Sequence, residues 1–379
     1  MIIKNGKVFI DGKYHEGLDI RCADNKIMEI GADLSGDDQV IDAEGNLVFA
    51  GFIDTHNHGG FGHSFHDGEE AVREMLKLLP SAGVTSVLPT LVPSSADDGL
   101  TTTRIIRKIR ENQDGADPFA FHFEGPYFNN ERHASMNPLH QANPTKEHTL
   151  YMVDNDLSDI WLFNTAPELP GAMEWIKWIT GEGVRVEVCY TIANSDIIKE
   201  AADNGATQIS HLYNGFEALN QRVSGPVVGC LLEDRLNAQL NCDGIHVAKG
   251  WIRLAMKAKG IDHVYGITDS CQYAGMPQGK YNNEEFGDYY IKEDRVIDHK
   301  GMLIAGAAPW DVVMRGAKNK VGLNLEEIGI IFGENPAKCL GITDRGKIEV
   351  GRRADFTIMD SELNVLKTII KQKVYYQSN

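Results

Sequence analysis

The chain carries no extended run of lysines and arginines, no apolar stretch of bilayer-spanning length and no Cys-x-x-Cys pair. Each absence removes a class of function. With a formal net charge of −17 the surface repels polyanions, which excludes a nucleic-acid interface and an anionic membrane patch. Any anionic substrate must then be gripped by a few local donors. The six cysteines, Cys22, Cys189, Cys230, Cys242, Cys271 and Cys339, are spread too widely for a zinc-cysteine site or a dense disulfide framework, and read as thiols in a reducing compartment. The opening "MIIKNGKVFIDGKYHEG" enters strand-like alternation at once, with no basic segment followed by an apolar core. No signal peptide is expected, and the cytoplasm is the expected compartment. No membrane association is expected, since a spanning helix needs about 20 apolar residues.

What is present is a composition, 42% hydrophobic and 24% charged over 379 residues, that supports one large domain or one large and one small. Residues 1–49 are short β-rich pieces punctuated by Asn5-Gly6, Asp11-Gly12 and Glu44-Gly45, dipeptides that favour hairpin turns. Residues 344–379 return to that style. The two ends are expected to build one small β domain around a middle section, residues 50–343. In that section eight apolar runs follow one another: "GFIDTHNH", "GVTSVLPT", "FAFHFEG", "IWLFNTAPE", "VRVEVCYT", "ATQISHLYN", "LNAQLNCDGIH" and "HVYGITDS". Helix-like segments such as "GEEAVREMLKLLPSAG" and "SDIIKEAADNG" separate them, several ending at glycine. Eight βα repeats predict a (β/α)8 TIM barrel; a doubly wound open sheet is the alternative reading.

The polar residues favour the barrel. His56, His58, Glu124, Tyr190, His211, Asp243, His246 and Asp269 all fall at or just beyond the C-terminal ends of their runs, the end at which barrels build active sites. His56 and His58, two apart on a strand, point to one face and can reach one ion. Taken alone the pair is equally readable as two ordinary histidines. Glu124 ends an otherwise apolar run, where a carboxylate is costly to bury without a partner or a metal, though a salt bridge at the rim would also serve. His211 precedes a loop and faces the same rim. Asp269 reads either as a helix N-cap or as the base that takes a proton from metal-activated water. Asn214 and Gly215 with Arg222 offer backbone N–H groups and one guanidinium, an anion clamp or a solvated loop. Asp243 and His246 close the seventh run, as a turn or as part of the site. His122 shares a face with Glu124 and is expected to pack beneath the site, while His63 and His66 read as loop residues. Together these residues predict a hydrolytic metal centre.

The motifs "GFIDTHNHGG", "FHFEGPYF", "NTAPELPG", "GATQISHLYNGF" with Arg222, "NCDGIHV", "YGITDS" before "AGMPQGKY", "GMLIAGAA" and "NPAKCLGITDRGKIEVGRRADFTIMD" run almost end to end. In them the chain resembles the N-acetylglucosamine-6-phosphate deacetylases of the amidohydrolase superfamily. The resemblance implies a (β/α)8 barrel with a small β-sandwich from both termini, and a homodimeric enzyme of amino-sugar catabolism. It implies Glu124 and His211 as metal ligands, with His56 and His58 serving a second or alternative position. It also implies Asp269 as general acid/base, Asn214, Gly215 and Arg222 at the sugar phosphate, and His246 at the substrate. The implied substrate is N-acetylglucosamine-6-phosphate. Another N-acyl amino sugar phosphate, such as the galactosamine epimer, or a silent sugar-phosphate binder are the alternatives.

Three positions depart from the family pattern. Tyr190 stands where a metal-binding histidine is usual, Met136 where a carbonyl-polarising histidine is usual, and Ala307 follows Gly306 where serine is usual. His133 is a substitute for the missing histidine only if its loop shifts. A protonated phenol is a poor ligand. One divalent ion per subunit is therefore expected at His56, His58, Glu124 and Asp269, zinc foremost, with iron, manganese and cobalt also compatible with N/O ligands.

Overall fold

Eight parallel strands follow the chain in order: Phe52–Asn57, Val84–Leu91, Phe121–Phe123, Ile160–Thr165, Arg185–Val188, Gln208–Ile209, Asn237–Leu240 and Val264–Gly266. A computed structural model describes residues 1–36, 38–283, 287–301 and 303–378. Each strand pairs with the next, so the order in the sheet is the order in the sequence. That order is what a barrel requires, whereas a doubly wound sheet reverses direction at a switch point. The strands are buried on both faces, which is why they read as near-continuous apolar runs.

The ring closes beyond the eighth strand. The backbone N–H of Asp269 donates to His56 O at 3.0 Å, and His58 N–H donates to Ser270 O at 2.8 Å. Thr268 Oγ1 donates to Asp54 Oδ2 at 2.6 Å, and Asn57 Nδ2 donates to the other side of the same junction, Ser270 Oγ, at 2.9 Å. The seam between first and last strands thus runs through the residues that carry the candidate site.

Helices fill the crossovers where the sequence predicts them. Glu69–Leu78 buries Val72, Met75 and Leu76, the i, i+3, i+4 stripe of an amphipathic helix. Ser95 caps Ala96–Glu111 by accepting from Asp98 N–H, and Asn194 caps Ser195–Asp203 by accepting from Asp196 and Ile197 N–H.

Both termini feed a second sheet. Ile2–Ile10, Lys13–Ala23, Lys26–Gly31, Val40–Asp42 and Leu47–Ala50 pair with Phe356–Met359, Val365–Ile370 and Lys373–Gln377. One expected turn is not a turn. Asn5-Gly6 lies inside the continuous strand Ile2–Ile10, where the register shifts on both sides of Gly6. Asn5 takes a positive φ of 56° there, and a Cβ on Gly6 would stand 2.4 Å from Val48 Cγ2, so the dipeptide makes a bulge against a tightly packed neighbour. Asp11 and Asp24-Asn25 do take the positive φ values of tight turns.

The two sheets share an aromatic seam. Phe49 of the terminal sheet lies 5.3 Å from Phe52 of the first barrel strand, which lies 5.9 Å from Trp310, all three fully buried. Asp117 binds both Arg345 and Arg353 at the foot of the barrel, joining the second crossover to the C-terminal segment.

One element was not anticipated. Between the eighth strand and the helix Trp310–Gly316 the chain makes a four-stranded antiparallel sheet, Gly279–Asn283, Gly287–Lys292, Arg295–Asp298 and Leu303–Gly306. Glu293 and Asp294 both adopt positive φ, the conformation of a two-residue hairpin turn, but without the glycine that announces one.

Candidate active site

The C-terminal mouth of the barrel gathers five of the predicted residues. His56 lies near the end of the first strand and His58 just beyond it, Glu124 follows the third, His211 the sixth and Asp269 the eighth. His56 Nε2 lies 3.2 Å from His58 Nε2, 3.4 Å from Glu124 Oε1 and 3.5 Å from Asp269 Oδ1. His58 Nε2 lies 3.2 Å from Glu124 Oε2 and 3.4 Å from Asp269 Oδ1, and His211 Nε2 lies 2.7 Å from Glu124 Oε1. Two overlapping sets result, His56–Glu124–His211 and His56–His58–Asp269, each with ligand atoms close enough for one ion.

The outer nitrogens decide which lone pairs face inward. His58 Nδ1 is 3.1 Å from Thr90 O and His211 Nδ1 is 3.0 Å from Asn214 O, both backbone carbonyls that only accept. His56 Nδ1 is 2.8 Å from the side-chain oxygen of Gln239. Each imidazole must donate from Nδ1, leaving Nε2 free to bind a cation. Among the described residues no lysine or arginine forms an ion pair with Glu124 or Asp269. A donor set of three nitrogens and two carboxylates without a resident cation fits a divalent metal.

The electrostatics agree. Burial would push His58 down, but Glu124 and Asp269 carry it up to about 10. Burial likewise opposes ionisation of both carboxylates, and the neighbouring histidines overcome it, holding Glu124 and Asp269 below the usual carboxylate range. Protons on His58 and His211, both raised by their acidic and thiol neighbours, supply positive charge to this pocket.

Tyr190 occupies the mouth in a different way from the other residues. Its hydroxyl donates to Glu124 Oε1 at 2.8 Å, and its ring stands 5.1 Å from that of His211. Burial, then the charge of Glu124, raises the phenol far above its ordinary range, so it stays a donor. Gly215 makes this fit: φ is +71°, and a Cβ would lie 2.5 Å from Tyr190 Cδ1. Met136 packs in the same cluster, with Phe128, Cys189 and Tyr190. His133 turns Nδ1 to the Met136 carbonyl at 2.7 Å, within its own loop.

The remaining predicted residues surround this centre. His246 Nδ1 bonds Asp243 Oδ2 at 2.6 Å, leaving Nε2 buried without a hydrogen-bond partner among the described residues. A Cβ on Gly306 would stand 3.1 Å from Asp269 O and 3.4 Å from His246 Cε1, so the chain passes these two residues closely. Asn214 Nδ2 donates to Asn241 Oδ1 at 3.1 Å. Arg222 lies exposed on the loop after the sixth strand, with no side-chain hydrogen bond or ion pair to a described residue. It does not join the metal-ligand cluster. His63 and His66 lie away from it too: His63 pairs with Glu74, and His66 bonds Asp98.

Sequence reading missed the layer beneath. Gln239, Glu187 and Thr90 support the ligands from inside the barrel, all fully buried. The available signal was a Glu and a Gln facing inward from apolar strands, in "VRVEV" and "LNAQL".

A sequentially ordered parallel barrel with His-x-His at the end of its first strand, a carboxylate after the third, a histidine after the sixth and an aspartate after the eighth has the arrangement of a metal-dependent hydrolase. No family model matches the chain. It is 29% identical over 389 residues to N-acetylglucosamine-6-phosphate deacetylase of Lysinibacillus sphaericus, covering 100% of this chain and 98% of that one. Its fold superposes on the enzyme of the same name from Pasteurella multocida with a TM-score of 0.91, at 26% identity over 100% of this chain and 99% of that chain. The Thermotoga maritima enzyme gives a TM-score of 0.87 at 25% identity, with both chains fully covered. Over its whole length the chain is similar to N-acetylglucosamine-6-phosphate deacetylases.

Proposed function

We propose that this chain hydrolyses the acetamide of N-acetylglucosamine-6-phosphate, giving glucosamine-6-phosphate and acetate in amino-sugar catabolism. The observation that carries the reading is the convergence of three imidazole Nε2 atoms on Glu124 and Asp269 at the barrel mouth. The residues fit one ion, zinc foremost, held by His56, His58 and Asp269 with Glu124 beside them. Oε1 of Glu124 is engaged by Tyr190 and His211, while Oε2 faces His58, which supports the first-strand pair as the occupied position. When bound, the ion supplies Lewis acidity toward water and the acetyl carbonyl.

The chain's own groups do the rest. Asp269, held ionised, accepts the proton of the attacking water and passes it to the departing amine, which leaves poorly unless protonated. His246, steadied by Asp243, keeps Nε2 for a substrate oxygen. Arg222 grips the phosphate together with Asn214 and the Gly215 backbone, so that binding energy remote from the amide orients it. No helix among the described residues is long and apolar enough to cross a membrane. Six unpaired cysteines support a cytoplasmic setting, and exposed Leu219, Val223 and Trp251 support a homodimer.

The test is acetate release from N-acetylglucosamine-6-phosphate by zinc-reconstituted protein, compared with protein stripped by chelator. Release that requires the metal supports the reading; none in either state overturns it.

A further inference from the structure

Beneath the metal-ligand cluster lies a chain of buried polar groups that the proposed reaction does not use. Glu187 sits on the fifth strand and Gln239 on the seventh, and neither side chain reaches solvent. Gln239 Nε2 donates to Glu187 Oε1 at 2.5 Å. Because a carboxylate oxygen accepts and an amide oxygen cannot donate, this contact fixes which way the Gln239 amide faces. Its oxygen is turned toward the mouth. There it takes His56 Nδ1 at 2.8 Å, with Ser210 Oγ at 3.3 Å and the backbone N–H of His211 at 3.5 Å behind it. The other Glu187 oxygen lies 2.8 Å from His122 Nε2, whose Nδ1 is 3.2 Å from Thr90 Oγ1. Thr90 in turn offers its backbone carbonyl to His58 Nδ1.

We infer that Glu187 and Gln239 are positioning residues that hold His56 in its Nδ1–H tautomer, so that its Nε2 lone pair is presented to the ion. The inference rests on the metal-dependent reading above. His58 and His211 need no such device, since each donates to a backbone carbonyl that cannot turn round. A glutamine amide can turn, and in the reversed orientation it would present N–H to His56 Nδ1 and favour the wrong tautomer. Glu187 prevents that reversal. Groups supporting metal-bound histidines in this way typically govern about 10–100-fold in metal affinity.

The experiment measures zinc affinity by competition with a chromophoric chelator, in the absence of substrate. Gln239→Met preserves side-chain length but offers His56 only a weak sulfur acceptor, and its affinity should fall about 10–100-fold. The double variant Gln239→Glu, Glu187→Gln reverses the polarity of the pair while leaving an acceptor at His56 and a donor between the two. It should restore zinc affinity toward that of wild type, and the contrast with the similarly sized Gln239→Met is what a space-filling role does not predict. Wild-type affinity in Gln239→Met, or a double variant as weak as that single one, overturns the inference. If Gln239→Met does not fold, Gln239→Leu takes its place with the same two outcomes: reduced affinity restored by the double variant supports the assignment, and wild-type affinity overturns it. Absence of zinc binding by wild type would instead overturn the metal-dependent reading on which both rest.

Discussion

The hydroxyl of Tyr190 donates to Oε1 of Glu124 at 2.8 Å, the oxygen that His211 Nε2 also approaches at 2.7 Å. A phenol thereby stands at one of the two positions where the mouth could hold a cation.

Tyr190→His should open that position. An imidazole beside Glu124 and His211 supplies the neutral nitrogen that a raised-pKa phenol withholds. Bound zinc, counted by elemental analysis after gel filtration, should rise from about one to about two ions per chain. A count unchanged from wild type contradicts the idea that Tyr190 blocks the second ion.

Asp269→Asn removes the proposed proton acceptor and keeps an oxygen near His56 and His58. Turnover of N-acetylglucosamine-6-phosphate should drop at least about a hundredfold while zinc is retained. Wild-type-like turnover would remove Asp269 from the acid/base role.

Zinc binding should release protons. In the ion-free protein His58 is raised to about 10, so at neutral pH a proton occupies the nitrogen that the ion must take. Affinity should climb with pH, by about tenfold per unit for one displaced proton, and level off as pH passes that value. Calorimetry in buffers of different ionisation enthalpy counts the protons; a pH-independent affinity between 7 and 9 contradicts the charge state described for His58.

Arg222→Met should raise KM for the phosphorylated substrate and spare kcat. A charge-assisted contact of about 1.5–3 kcal/mol corresponds to about 10–150-fold. The unphosphorylated amino sugar is the control, and equal losses on both substrates would show that Arg222 does not read the phosphate.

Phe52→Ala should cost about 3–5 kcal/mol in unfolding free energy, because it empties the seam between Phe49 and Trp310. Chemical denaturation measures it. A loss under about 1 kcal/mol would mean that the terminal sheet and the barrel do not rely on that seam.

Much of this molecule is legible in its sequence. The eight strands announce themselves because a parallel sheet covered on both faces needs uninterrupted apolar runs, and the mouth residues because polar groups end those runs. The layer beneath the mouth is harder to read. Glu187 and Gln239 become intelligible only when the fifth and seventh strands bring them together, a contact across 52 positions of chain that spacing does not encode. Asn5-Gly6 misleads for a related reason: the same dipeptide serves a turn or a bulge, and packing against Val48 chooses. The antiparallel excursion at residues 279–306 escapes because its turn at Glu293-Asp294 lacks the glycine that would mark it.

The seam at which Asp269 N–H meets His56 O has a consequence for folding. Asp269, the proposed base, follows the last strand and His56 and His58 lie at the end of the first, so they are neighbours only once the eighth strand has docked on the first. A chain halted one strand short would bury much of its core and still lack the adjacency that hydrolysis requires. Catalysis in this protein therefore reports completion of the ring, and activity recovered during refolding should lag behind the return of secondary structure.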